Sequence, residues 1–169
     1  HPANTLSLHD ALPISDIVKE LTKNSIEFWE LSGVEPNPRI TTVRKGVEIC
    51  RENKIDLVLA AGGGSSIDCS KAIAAAFYYE GDAWDIVKDP RKISKVLPIA
   101  TVLTLAATGS EMDTFAVITD MDINEKLGTG HPDMVPRFSI LDPTYTFSVP
   151  QYQTASGTAD IISHTFEAY

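Results

Sequence analysis

Asp160 and His164 stand four residues apart in "SGTADIISHTFEAY", within an apolar frame that reads as a helix. Residues four apart share one helical face, with about 5 to 6 Å between their Cβ atoms. A carboxylate and an imidazole in that relation can hold one divalent cation, and such a cation polarises carbonyls or lowers the pKa of a bound alcohol. Taken alone, a DxxxH pair is more often a surface or packing pair. Ile161, Ile162 and Phe166 supply apolar surface around it, and Glu167 continues the face as a solvated charge rather than a third ligand.

A second cluster lies in "LVLAAGGGSSID", where Gly62, Gly63 and Gly64 separate a strand-like run from a helix. Glycines let the backbone approach a ligand closely, and the helix start behind them offers free N–H groups and partial positive charge, which suit a pyrophosphate. An isolated GGGS is equally a tight strand-to-helix turn capped by Ser65 or Ser66. Asp68 sits in the first helical turn, where a carboxylate is also favourable for structural reasons. Lys71 is followed by Ala72, so the GK[ST] ending of a P-loop is absent, and the Rossmann GxGxxG spacing is absent too. A third cluster, "TVLTLAATGSEMD", offers hydroxyls at Thr101, Thr104, Thr108 and Ser110 around Gly109. Such hydroxyls serve phosphate or ribose, or bond their own loop backbone.

The elements that must position these residues are legible from periodicity. Ile17, Val18 and Leu21 make one helical face, "SIEFWEL" over 25–31 reads as a strand, and Ile40, Val43, Val47 and Cys50 repeat as an amphipathic helix after Pro38. "IDLVLAA" is a short unbroken apolar run, as expected of a parallel strand buried on both faces. Strand-like runs recur at 96–102, 115–120 and 138–142. The succession of strand, helix, strand, helix and further strands predicts a mostly parallel α/β sheet whose loops at the carboxyl ends share one crevice. Beyond Pro150 the sequence is helical throughout. The first fifteen residues, "HPANTLSLHDALPIS", show no clean period and carry two prolines.

Composition narrows the function. The 169 residues, 43% hydrophobic, suffice for one domain with a sizeable core, and the formal charge of -9 disfavours nucleic acid and anionic membrane surfaces as partners. No apolar run approaches the ~18 residues of a membrane span. Cys50 and Cys69 form no CxxC pair, which gives neither a disulfide framework nor a zinc knuckle. A reduced, cytoplasmic setting is expected.

Together, "GGGSSID", "TLAATGSE", "AVITD", "FSILDP" and "SGTADIISHTFEAY" occur in the order and spacing of the iron-containing, group III alcohol dehydrogenases, which the chain resembles from about Asp16 onward. "ELSGVEPNPR" resembles the butanol-dehydrogenase branch. The resemblance implies a dinucleotide-binding α/β domain over 16–149 with its first strand units missing. It also implies, from 150 to 169, the first helix of an all-helical metal-binding domain, and a probable non-native extension over 1–15, in which His1 and His9 carry no function. The chain would then be a fragment of a longer enzyme.

By the same resemblance, Gly62, Gly63, Gly64 and Ser65 with Asp68 would hold the cofactor pyrophosphate, with Asn37 approaching the cofactor. Thr104 and Thr108 would line its adenine and ribose side, and Lys126 is a further candidate. Asp160 and His164 would be the first two metal ligands, with Fe2+ ahead of Zn2+ and two further histidines expected beyond Tyr169. The implied activity is NAD(P)-linked interconversion of short aliphatic alcohols and aldehydes, with a lean to NADP and a homodimeric parent. Alternatives are a glycerol-dehydrogenase-like polyol oxidoreductase, a dehydroquinate-synthase-like lyase, or a nucleotide-binding fragment without catalysis.

Overall fold

A computed structural model of the chain describes residues 14–167 and the backbone of 5–9. His1, Ala168 and Tyr169 lie outside the described residues, as does the side chain of His9. The elements are β1 (Thr5–His9), α1 (Ile14–Lys23), β2 (Phe28–Ser32), α2 (Ile40–Glu52), β3 (Leu57–Gly62), α3 (Gly64–Ala76), α4 (Ala83–Lys88), β4 (Ile99–Leu103), β5 (Phe115–Asp120), β6 (Glu125–Gly130), β7 (Phe138–Ile140) and α5 (Gln151–Glu167). Short 3-10 turns occupy Pro90–Lys92, Pro132–Met134 and Pro143–Thr146.

Five strands form one parallel sheet in the order β2-β1-β3-β4-β7. The chain winds outward in one direction from β1 to β2 and in the other from β3 to β7, so the order reverses between β1 and β3. In open α/β sheets ligands bind beyond the carboxyl ends of the strands at this reversal. Gly62, the last residue of β3, is at that point.

Apolar burial explains why the middle of the chain holds this shape. β4 is buried along its whole length, and β3 is buried from Val58 to Gly62, as strands covered on both faces must be. α3 carries Cys69, Ala72, Ile73 and Ala74 to Ala76, all buried, and is a core helix rather than an amphipathic surface one. α2 crosses it at Gly46, where a Cβ would stand 2.3 Å from Ile73 Cδ1, so only glycine allows this approach. Burying Ile73 completely contributes on the order of 1.5–3 kcal/mol.

Three expectations from sequence are corrected. β5 does not join the parallel sheet; it pairs antiparallel with β6 in a separate two-stranded sheet. Its alternating pattern is the reason, because Ala116, Ile118 and Asp120 turn inward while Phe115 and Val117 stay exposed. β6, "EKLGTG", was not expected at all. Two glycines and two charges hide its strand character, and Thr129 fixes it by donating to the Ile86 carbonyl at 2.9 Å.

The third correction concerns the opening residues, where no regular element was expected. The backbone of Thr5–His9 fills the slot between β2 and β3, in five-residue register with each. "TLSLH" alternates leucine with polar residues, a period of two too short to stand out beside Pro2 and Pro13. α4, also unread in the sequence, begins at the N-cap Asp82, whose carboxylate accepts from the Trp84 N–H at 3.0 Å.

Candidate nucleotide and metal sites

The turn after β3 leaves the N-terminus of α3 open. Its N-cap is Gly63, in extended conformation and without a side-chain cap, so the serines proposed as caps do not act as such. Ser65 and Ser66 lie inside the helix, and the first N–H groups keep no side-chain partner at the N-cap. They face a cleft of about 390 Å3 lined by Pro36, Gly63, Gly64, Ser65, Thr104 and Gln153 among others. Among the described residues, no ionisable side chain lines it. Its positive character comes from the helix terminus, which is the environment a pyrophosphate requires.

An added side chain on this floor would meet the threonine loop by contact rather than be strained by its dihedral angle. A Cβ at Gly64 would lie 3.1 Å from Thr108 Oγ1, and one at Gly63 would lie 3.4 Å from Leu105 Cβ. The threonine-rich loop is thus folded over the glycine turn, and the Thr104 N–H donates to the Gly62 carbonyl at 3.1 Å. The residues present fit a dinucleotide phosphate in size, polarity and backbone exposure.

The structure sorts the remaining sequence-predicted residues. Asn37 and Lys126, 89 positions apart, come together: Lys126 Nζ donates to Asn37 Oδ1 at 2.7 Å. Asn37 adopts φ +58°, a left-handed conformation that asparagine tolerates well, and its neighbour Pro36 lines the cleft. Gly62 is buried behind the cleft, and Thr108 adjoins it. Asp68 does not line it. One carboxylate oxygen accepts from the Ser110 hydroxyl at 2.6 Å and the other from the Val117 N–H at 3.0 Å. Burial pushes the Asp68 carboxyl pKa up, while these two hydrogen bonds and nearby Lys71 pull against the rise.

Pro36, Leu105 and Gln153 line the cleft without having been singled out from the sequence, as does Ser66, read there only as a cap. Gln153 had a signal available, since it lies one turn before Gly157 on α5, the helix already read as carrying ligands. Gly157 is the sole buried residue of that helix, and a Cβ there would stand 2.7 Å from the Ala106 carbonyl oxygen. The helix that carries Asp160 and His164 is therefore seated, backbone to backbone, on the loop that lines the cleft.

On α5 the two candidate ligands do approach each other: His164 Nε2 lies 3.7 Å from Asp160 Oδ1. His164 is exposed and Asp160 half-buried, and His164 Nδ1 is 3.4 Å from Glu167 Oε2. A carboxylate and an imidazole form a donor set suited to iron or zinc. Among the described residues, no group of three His, Cys, Asp or Glu side chains is arranged to hold a metal ion. Nor is any described helix long and apolar enough to cross a membrane.

The model of the iron-containing alcohol dehydrogenase family matches residues 7–143, a span that begins within the first fifteen residues and stops short of Asp160 and His164. The chain is similar to the NADH-dependent butanol dehydrogenase A of Clostridium acetobutylicum, with 74% identity over 149 residues, which cover 88% of this chain and 38% of that protein. It is 41% identical over 147 residues to the NADPH-dependent aldehyde reductase YqhD of Escherichia coli, covering 85% of this chain and 38% of that protein. The crystal structure of NADH-dependent butanol dehydrogenase A from Thermotoga maritima superposes with a TM-score of 0.92 at 42% identity, covering 98% of this chain and 43% of that one. The chain spans about two fifths of the length of the curated relatives it matches. A parallel sheet with this cleft at its reversal point, the family match and the identity to named dehydrogenases agree: the chain belongs to the iron-containing alcohol dehydrogenase family.

Proposed function

We propose that the protein acts as an NAD(P)-linked alcohol dehydrogenase or aldehyde reductase on short aliphatic substrates, with a divalent metal held in part by Asp160 and His164. The observation that carries this is the α3 N-terminus, open at Gly63 and facing a cleft that one glycine turn and one threonine loop enclose. When bound, the nicotinamide supplies the hydride acceptor or donor and the metal supplies Lewis-acid polarisation of the alcohol or carbonyl oxygen. The backbone at Gly63, Gly64 and Ser65 binds the pyrophosphate, Thr104 and Thr108 orient the ribose side, and Asn37 with Lys126 closes the outer edge. Asp160 and His164 give the metal two ligands on one helical face, about two and three turns beyond Gln153, or about 10 and 16 Å along the axis.

The names of the relatives favour NADH over the lean to NADPH suggested by "ELSGVEPNP". Proteins 74% and 69% identical to this chain are named NADH-dependent, and the NADPH-dependent reductase is 41% identical.

For the 169-residue chain alone, a pair of candidate ligands with no third beside it among the described residues supports nucleotide binding without turnover. Two experiments test these statements. Titration of the purified chain with ADP-ribose should give saturable binding, and its absence would remove the nucleotide site. A chimera in which residues 16–167 replace the matched segment of the Clostridium acetobutylicum enzyme should reduce butanal with NADH; a folded, metal-loaded but inactive chimera would overturn the dehydrogenase proposal.

A further inference from the structure

Asp68 and Lys71 leave α3 three positions apart on one face, and both end on the segment that follows the threonine loop. Asp68 takes the Ser110 hydroxyl and the Val117 N–H. Lys71 is fully buried, and its ammonium donates to Asp113 Oδ1 at 2.6 Å and to the carbonyls of Asp113 and Phe115, both at 2.9 Å. All three of its donors are used.

A buried ammonium carries a desolvation cost that an aliphatic residue at the same place would not. What the lysine adds is register: its three acceptors lie at fixed places on one short segment, and a shift of α3 against β5 would leave the charge unpaired. Neither side chain lines the cleft. The loop they anchor does. It is tied at its start by Thr104 to Gly62 and at its end by Ser110 to Asp68, and between these ties Thr108 covers Gly64 and Ala106 seats Gly157.

We infer that Asp68 and Lys71 are positioning residues for nucleotide binding: they set loop 104–109 against the α3 N-terminus, and so the width of the cleft, without touching the nucleotide. The inference rests on the nucleotide site proposed above and assigns Asp68 a place behind the loop instead of on the cofactor.

Calorimetric titration of the chain with ADP-ribose, with thermal unfolding measured alongside, tests this in a double-mutant cycle. Ser110→Ala is expected to weaken Kd about tenfold, the scale of one hydrogen bond to a charged group, and to have no further effect in an Asp68→Ala background. Losses that multiply would mean that Asp68 acts independently of the loop, as a direct ligand would, and would overturn the inference. Unchanged Kd in both single variants, with only the unfolding temperature lowered, would overturn it too, since that is what a purely structural pair gives. Asp113→Asn, which weakens the Lys71 contact from its far side and lies outside the cleft, should weaken Kd several-fold; an unchanged Kd there overturns Lys71's part. If the wild-type chain binds no ADP-ribose, the nucleotide site itself falls, whereas wild-type binding with indifferent variants sinks only the positioning role.

Discussion

Thr108 Oγ1 stands 3.1 Å from the place a Cβ would occupy on Gly64, so the loop that follows β4 rests directly on the first residue of α3. Thr108 is exposed and can give way by the few tenths of an ångström an added methyl demands. Gly64→Ala should therefore leave the thermal midpoint unchanged or slightly raised, because the unfolded chain loses entropy worth about 0.4–1 kcal/mol. Its effect is expected on ligand affinity, with ADP-ribose binding several-fold weaker by calorimetry.

Gly157 meets backbone, which cannot yield in that way. Gly157→Ala brings a methyl to 2.7 Å from the Ala106 carbonyl, an overpacking cost of about 1–3 kcal/mol, partly offset by about 1 kcal/mol of helix propensity. A net loss of about 1 kcal/mol lowers the midpoint by about 2–4 °C in a domain of this size. Hydrogen exchange should show the added opening in 104–108 and α5, with the centre of the sheet unaffected.

Arg51 closes the far end of α3. Its guanidinium donates to the carbonyls of Ala76, Phe77 and Tyr79, at the end of the helix and in the turn that follows it. A lysine presents a point charge without the planar fork and cannot serve three divergent carbonyls. Arg51→Lys is expected to cost about 1 kcal/mol in urea unfolding, with an unchanged m-value.

Cys50 and Cys69 are buried, and burial pushes both thiol pKa values up from 9.0 to about 12. A folded value above the unfolded one favours the protonated form, so this contribution is fully present below about pH 9 and is lost as pH rises towards 12. Stability measured by denaturant should fall across that interval, and Cys50→Ala/Cys69→Ala should flatten the fall. In the native chain at pH 8 neither thiol should react with iodoacetamide on the time scale at which the unfolded chain is alkylated.

In the chimera with the Clostridium acetobutylicum enzyme, Asp160→Ala should abolish metal retention measured by elemental analysis. Full metal content in that variant would take Asp160 out of the ligand set. Glu167→Gln serves as the contrast: as a solvated neighbour of His164 rather than a third ligand, it should leave most of the metal in place.

What could be read in the sequence was what local periodicity controls. "IDLVLAAGGGSSID" announced a buried strand, a glycine turn and a helix because all three depend on near neighbours, and the structure has β3, Gly63 and α3 in those places, with the turn uncapped where the sequence left a serine cap equally open. The approach of Asp160 to His164 was legible for the same reason, since they are one helical turn apart. β6 was not, since "EKLGTG" acquires strand structure from pairing with β5 and from the Ile86 carbonyl rather than from its own residues. Lys71 entered only as an argument against a P-loop. Its partners lie 42 and 44 positions away, a distance at which no spacing rule operates.

The single seat of α5 also makes that helix a lever. His164 lies seven residues beyond Gly157, so a rise of 1.5 Å per residue puts it about 10 Å from the pivot, and a tilt of about 10° swings the imidazole by about 2 Å. Metal–ligand bonds tolerate about 0.2 Å. A displacement of the 104–108 loop too small to disturb the sheet would therefore reach Asp160 and His164 multiplied, and any event that shifts this loop at the cleft has a mechanical route to these two side chains.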